Sequence, residues 1–436
     1  VTSAVTARGR APQVLVETSH ELPLVSVSVA LRTGAILDPP GAEGAMRLLA
    51  RWMRRSAGGR SADENDRLIE GMGGSLGADV TQSTVVFQGA VISRSLDRFV
   101  EVLIDSIARP SLPDDELERL KRETEAELTE ALDDDRGLAR RWFRRRLFEG
   151  HPYSRSAGGT LAGIRNVTGD ALRALYRKAV VSDNLVLAFA GDITAARAEK
   201  IAETLVGAVG SGPAPVDATS EPRIPPGRRL IFVDKPERTQ TQILIGGMGS
   251  HPSDPDHTAL IVANTAFGGT FTARLMKEVR GKRGWSYGAY SSLPYDRRRQ
   301  AFSMWTFPKA SDAPACIALE LEMLGAFREK GVTSGEFGWA KRYLARSHAF
   351  ALDTAAKRVS LALDAELYDL PPGYYPRYLE NLKAATLEQA NQALRERLST
   401  DDILLCVVGT EATTFADVRQ AIPNLGAAEV VRYDAD

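Results

Sequence analysis

An internal duplication constrains this chain more than any other feature. The segment Ser182-Asp183-Asn184-Leu185-Val186-Leu187-Ala188-Phe189-Ala190-Gly191-Asp192 is echoed by Thr400-Asp401-Asp402-Ile403-Leu404-Leu405-Cys406-Val407-Val408-Gly409-Thr410, with Asp183 and Asp401 218 positions apart. A second pair, Asp115-Glu116-Leu117 with Lys121-Arg122 against Gly335-Glu336-Phe337 with Lys341-Arg342, lies at an offset of 220. Two matches at nearly one offset imply a duplicated domain of about 200 residues, not a short-period solenoid. Between the copies, Gly212, Pro213, Pro215, Pro222, Pro225, Pro226 and Gly227 interrupt any helix or strand, so residues 210–228 read as a linker. The expected domains are therefore 1–209 and 229–436.

Within the first copy, Leu24–Leu31 alternates apolar and small polar residues like a half-buried strand. A Pro/Gly turn at Pro39-Pro40-Gly41 leads into a helix carrying Met46, Leu48, Leu49, Trp52 and Met53. Further strands are expected at residues 83–87 and 185–190. Helices are expected at 114–132, behind Pro113 and with acidic residues in the first turn, and at 138–147 and 170–178. Strands and helices mix without strict alternation, so the expected class is α+β: two similar domains, each an antiparallel sheet covered by helices.

The near-zero net charge of -1 argues against nucleic-acid binding and electrostatic membrane attachment. No stretch approaches the roughly 20 apolar residues of a membrane helix. Arg140-Arg141 and Arg144-Arg145-Arg146 read as the solvated face of a helix. The two cysteines, Cys316 and Cys406, are too far apart and too isolated for a disulfide framework or a thiolate zinc site. Of the five histidines only His251 and His257 are close, in a Pro- and Asp-rich loop whose spacing fits no zinc pattern and reads as polar surface. Opening on Val1 points to a removed upstream segment, a signal peptide or a chosen boundary, and favours a periplasmic over a cytoplasmic location.

Several segments, in order along nearly the whole chain, resemble the pitrilysin/insulinase family of inverted-zincin metallopeptidases. They are Leu22–Val29 with Arg32-Thr33-Gly34-Ala35 and Gly41–Gly44, then Glu70–Ala78, then Phe148–Tyr153, and finally Ala266–Gly269 with Arg274-Leu275 and Arg280–Tyr287. The likeness is to the two-domain members: mitochondrial processing peptidase subunits, bc1 core proteins and paired bacterial peptidase subunits. It implies a duplicated α/β roll, with the strand through Gly77 and Ala78 as the edge that pairs with substrate.

In active members the first helix carries His-x-x-Glu-His, two imidazole ligands one turn apart and a general base. Placing Gly44 at the glycine before that motif puts Arg47-Leu48-Leu49-Ala50-Arg51 in its five positions. A guanidinium stays protonated and offers no lone pair to a cation, and Ala50 removes the base. The resemblance places the remaining ligand in a Glu-x6-Glu pair, and Glu123 and Glu130 keep that spacing on one helix face. On spacing alone, in so acidic a helix, a solvated face is the better explanation of both. A cavity once built for a metal invites Arg47 or Arg51 to pair with Glu130.

The resemblance also implies that Arg280 and Tyr287 contact the substrate backbone and stabilise the tetrahedral intermediate. The spacing predicts a helix from 272 to 280 ending at Gly281 and a strand from 285 to 291, so that both side chains can donate toward an oxyanion. Without the resemblance, a helix-terminal arginine and a strand tyrosine are ordinary features.

The implied function is a non-catalytic subunit of a heterodimeric zinc peptidase. It would lack a metal or other cofactor of its own and lend Arg280 and Tyr287 to a zinc-bearing partner that hydrolyses peptides or unfolded polypeptides. The alternatives are a structural or assembly protein like the bc1 core proteins, and a homodimer that binds peptides by strand addition without cutting them. Neither a nucleophile elbow nor a phosphate loop nor a dinucleotide fingerprint is present.

Overall fold

The computed structural model describes residues 3–5, 12–55 and 57–435. Among these residues twelve strands form two six-stranded sheets. The first contains β1 (Ser3–Val5), β2 (Gln13–Thr18), β3 (Leu24–Leu31), β4 (Ser75–Val80), β5 (Val85–Ile92) and β6 (Leu185–Gly191), in the order β1-β2-β6-β3-β5-β4. The second contains β7 (Arg228–Asp234), β8 (Gln242–Met248), β9 (Ala289–Ser292), β10 (Ala301–Thr306), β11 (Leu404–Gly409) and β12 (Leu425–Arg432), in the order β12-β7-β11-β8-β10-β9.

The duplication is visible in the strand order, since β6 and β11 occupy equivalent places and end at Gly191 and Gly409. Each is buried along almost its whole length, which is why both read as continuous apolar runs. The α+β class holds, but the sheets are mixed and not wholly antiparallel. β2 runs parallel to β6, and β7 runs parallel to both β11 and β12, while the remaining pairs are antiparallel.

Helices Ala45–Arg55 and Leu96–Ala108 bury one face of the first sheet around Trp52, Phe87, Phe99 and Phe189. Its other face is covered from far along the chain. The helix Ala355–Leu367 lays Val359, Leu363 and Leu367 against Leu15, Ala30, Val186, Ala188 and Ala190. Three of these five sheet residues are alanine, so the helix approaches closely. Arg32 Nη1 donates to the Glu366 carbonyl at 2.7 Å, and Arg358 Nε donates to buried Glu17 at 2.6 Å, which pins the helix at both ends.

The helix Asp135–Leu147 plays the reciprocal part on the second sheet, packing across β8 and β11. A Cβ on Gly246 of β8 would lie 3.0 Å from the Phe143 ring, so glycine allows the contact. Lys235, nearly buried, ties the helix start through Asp135 at 2.7 Å and the Leu132 carbonyl at 2.6 Å.

Two compact units result, one from Val1–Leu128, Ser156–Ala218 and Ala349–Leu370, the other from Thr129–Arg155, Thr219–His348 and Pro371–Asp436. They differ from the contiguous halves 1–209 and 229–436 because each copy contributes a helix to the sheet of the other. The boundary between Ala218 and Thr219 falls inside the expected linker, which is irregular from Gly210 to Pro225.

Candidate functional site

The helix that would carry zinc ligands starts at a tight corner. Gly44 has φ +97°, and a Cβ there would come within 2.7 Å of the Gly159 Cα, so only glycine fits. Buried Asp38 accepts from the Gly44 and Met46 amides at 2.8 and 2.7 Å and satisfies the first turn. The apolar side of the helix carries Met46, Leu49, Ala50, Trp52 and Met53 into the core. The other side carries Arg47, Arg51 and Arg55, one turn apart.

These three arginines meet the helix Asp114–Glu130 as an antiparallel charge ladder. Arg47 Nη2 lies 2.7 Å from Glu127. Arg51 grips both oxygens of Glu127, at 3.0 and 2.9 Å, donates to Thr124 Oγ1 at 2.9 Å, and lies 3.5 Å from Glu123. Arg55 bridges Glu123 at 2.7 Å and Glu116 at 3.0 Å. Rising numbers on one helix meet falling numbers on the other. The hydrogen bond from Arg55 holds the Glu123 carboxyl below its usual range, more than offsetting the opposing effect of partial burial. Arg55 loses some affinity for its proton to burial, but its hydrogen bonds to Glu123 and Glu116 raise the net value.

The expected partner, Glu130, is thus replaced by Glu127. The Glu-x6-Glu spacing selects Glu123 and Glu130, whereas the helix crossing sets the residue opposite Arg47 and Arg51. Seven residues before Glu127 stands Leu120, so no spacing rule points to it. Glu130 is exposed and makes no ion pair among the described residues. The residues present do not fit zinc: two guanidinium forks occupy the Glu127 oxygens, and neither has a lone pair to offer. Ala50, buried at the general-base position, has no ionisable group.

His251 and His257 are buried, not part of a polar surface loop. His257 Nδ1 lies 2.7 Å from Ser250 Oγ, and His251 Nε2 lies 3.1 Å from the Asp296 carbonyl. Asp254 is held by Arg299, and Asp256 by Arg397 at 2.9 Å. Burial pushes the His257 imidazole down to about 4. Among the described residues no group of three or more His, Cys, Asp or Glu could hold a metal ion. Cys316 and Cys406 are buried and unpaired, and burial pushes both thiols up.

The second-copy segment brings its two expected residues together. Met276–Lys282 is a π-helix, not the end of an α-helix, a wider turn that recurs at functional sites. Tyr287 precedes β9 and does not lie within it, because the strand begins only at Ala289. The Arg280 guanidinium sits 4.4 Å from the ring centre of Phe271 and 4.6 Å from that of Tyr287. Both rings are exposed, at 58% and 73%, and among the described residues the Arg280 side chain has no ion pair. Phe271 escaped the sequence reading; a lone aromatic in Gly-Gly-Thr-Phe-Thr carries no periodic signal.

Gly77 and Ala78 lie on β4, whose one ladder partner is β5, so this is an edge strand of its sheet. Gly77 is exposed and Ala78 half-buried, and a Cβ at Gly77 would meet nothing closer than 3.9 Å.

Residues 13–160 match the family described as Insulinase (Peptidase family M16), and residues 166–344 match the Peptidase M16 inactive domain. The chain is 22% identical over 400 residues to the non-peptidase homolog YmxG of Helicobacter pylori, covering 91% of this chain and 92% of that protein. It is 24% identical over 353 residues to an uncharacterized zinc protease of Streptomyces coelicolor, covering 79% of this chain and 76% of the relative. Among solved structures, a peptidase M16 inactive domain from Pseudomonas fluorescens superposes with a TM-score of 0.87 at 25% identity, covering 94% of this chain and 98% of that one. A Helicobacter pylori protease superposes at 0.84 with 16% identity, covering 94% and 99%. With both halves matched in order and the glycine corner, helix crossing and duplicated sheets in place, the chain belongs to peptidase family M16.

Proposed function

We propose that this chain is a non-catalytic M16 subunit that works with a zinc-bearing homologue, supplying substrate-binding and oxyanion-stabilising groups from its second copy while the partner supplies the metal and the base. The carrying observation is the pairing of Arg280 with Tyr287. A guanidinium with no carboxylate partner among the described residues, flanked by exposed rings, is a donor left available to a ligand. The first copy supports the same division, since its motif positions are taken by an arginine–glutamate ladder. The name of one relative, a non-peptidase homolog, is in keeping with a chain that does not hydrolyse peptides by itself.

The test is co-expression with zinc-site M16 proteins of the same genome, each mixture assayed on a quenched peptide. The chain alone is expected to be inactive. In the active mixture, Arg280→Ala is expected to lower kcat about 100-fold, the usual cost of one oxyanion donor, and Tyr287→Phe to lower it less. Unchanged turnover in both variants overturns the assigned role. Inactivity of every mixture overturns the partnership and leaves the peptide-binding reading, which the exposed edge of β4 favours.

A further inference from the structure

The helix Asp135–Leu147 carries three arginines at successive turns, Arg136, Arg140 and Arg144, along one side of a cleft of about 210 Å³. Across the cleft stand Tyr290 of β9 and Ser303 and Trp305 of β10. The sequence suggested a solvated basic face, but the arginines of this region have separate fates. Arg146 pairs with Glu429, and Arg141 donates to the carbonyls of Tyr433 and Ala435. Arg136 and Arg140 have no carboxylate partner among the described residues. Arg136 lies 3.6 Å over the Trp305 ring, and Trp305 stacks in turn on Tyr290 at 6.3 Å. At the inner end, Arg144 Nε donates to the Tyr153 carbonyl, while its Nη2 is buried with no hydrogen-bond partner among the described residues. A buried cationic donor left unsatisfied is costly unless something completes it.

We propose that this cleft binds a carboxylate carried on an extended peptide, either an acidic side chain or a chain end. The guanidinium fork matches a carboxylate in two-point geometry, and the aromatic wall gives the attached chain an apolar surface that a bare inorganic anion would not use. β9, at the edge of its sheet, has ladder partners on one side only, along β10. A peptide added to its free side runs beside Tyr290 and Ser292, both of which line the cleft. The electrostatics agree. Burial, and then the neighbouring Arg140 charge, draw Arg136 below its ordinary value, and burial does the same to Arg144, with only Asp296 and Tyr153 opposing. An anion in the cleft relieves both.

This inference rests on reading the chain as a peptide-handling protein, and its test is separate from hydrolysis. Two fluorescein-labelled octapeptides are titrated onto the full chain by anisotropy at low salt. One bears two glutamates and a free carboxyl end; the other has glutamines and an amidated end. The acidic peptide is expected to bind on the order of tenfold tighter, the worth of one charge-assisted hydrogen-bond pair. Arg136→Gln with Arg140→Gln, both at the exposed rim, is expected to remove that difference while leaving the melting temperature unchanged. Equal affinity for the two peptides, including no binding of either, overturns the site. So does an acidic preference that survives the double variant. Displacement of the acidic peptide by inorganic phosphate at equal concentration also overturns it, by assigning the cleft to free phosphate. Peptidase activity of the partnered complex, read through Arg280→Ala, stands or falls independently of these outcomes.

Discussion

At the residue scale, two buried titratable groups give the molecule opposing responses to pH. Glu320, on the helix Ala313–Lys330, is completely buried, and neither carboxyl oxygen has a hydrogen-bond partner among the described residues. Burial raises its pKa from 4.5 to about 8. The folded chain therefore keeps a proton that the unfolded chain loses, and this group's contribution to stability falls as pH rises from 4.5 to about 8. His257 behaves in the opposite sense. Its pKa drops from 6.5 to about 4, so its contribution is lost as pH falls through that range. Above pH 6.5 only Glu320 of this pair acts. Urea midpoints are expected to fall between pH 6.5 and 8 in the wild type, and less so in Glu320→Gln. An equal fall in both would dissociate the slope from this residue. The charge ladder makes a second residue-scale prediction. Zinc and chelators are expected to leave the wild-type melting temperature unchanged. The triple variant Arg47→His, Ala50→Glu, Arg51→His places two imidazoles opposite Glu127 and is expected to gain about 2.7 kcal/mol when zinc is present at 100 times its Kd. Absence of a zinc-dependent shift would show that Glu127 is not placed to complete a site.

At the element scale, the helices Asp135–Leu147 and Ala355–Leu367 stand at equivalent positions of the two copies, and each lies on the sheet of the other. The apolar face of the second includes Leu363, 5% exposed. Leu363→Ala is expected to cost about 2–5 kcal/mol by chemical denaturation, as for other buried leucines. A cost under 1 kcal/mol would mean that this helix is not part of the cooperative core. The sequence pointed to a helix at 138–147 but to none at 355–367, and in neither case to what the helix covers. Glu127 escaped for a related reason. Which residue on one helix faces which on another depends on the axial offset between them, and no local spacing encodes that offset. Within the second copy, Arg280 and Tyr287 were legible as residues. The π-helix and the contribution of Phe271 were not, because both depend on how the Met276–Lys282 turn packs.

At the scale of the whole molecule, reciprocal helix exchange means that neither contiguous half contains its complete set of packed elements. Residues 1–209 alone would expose the face of β2, β3 and β6 bearing Leu15, Ala30, Val186, Ala188 and Ala190. Expressed separately, residues 1–209 and 229–436 are each expected to aggregate or to lack a cooperative melt, and co-expression to recover a soluble complex. A sharp melting transition for either half by itself would contradict this. The sequence by itself determined that the chain is a duplicated α+β protein of a zinc-peptidase lineage, and that the arginines at the motif positions cannot bind zinc. Those properties follow from residue chemistry and from patterns repeated along the chain, and both can be read locally. Only the tertiary structure decided that Glu127 answers Arg47 and Arg51, that the copies exchange helices, and that Arg136, Arg140 and Arg144 border one cleft. Each depends on contacts between segments distant in sequence, whose geometry is set by packing and not by the order of residues within any one segment.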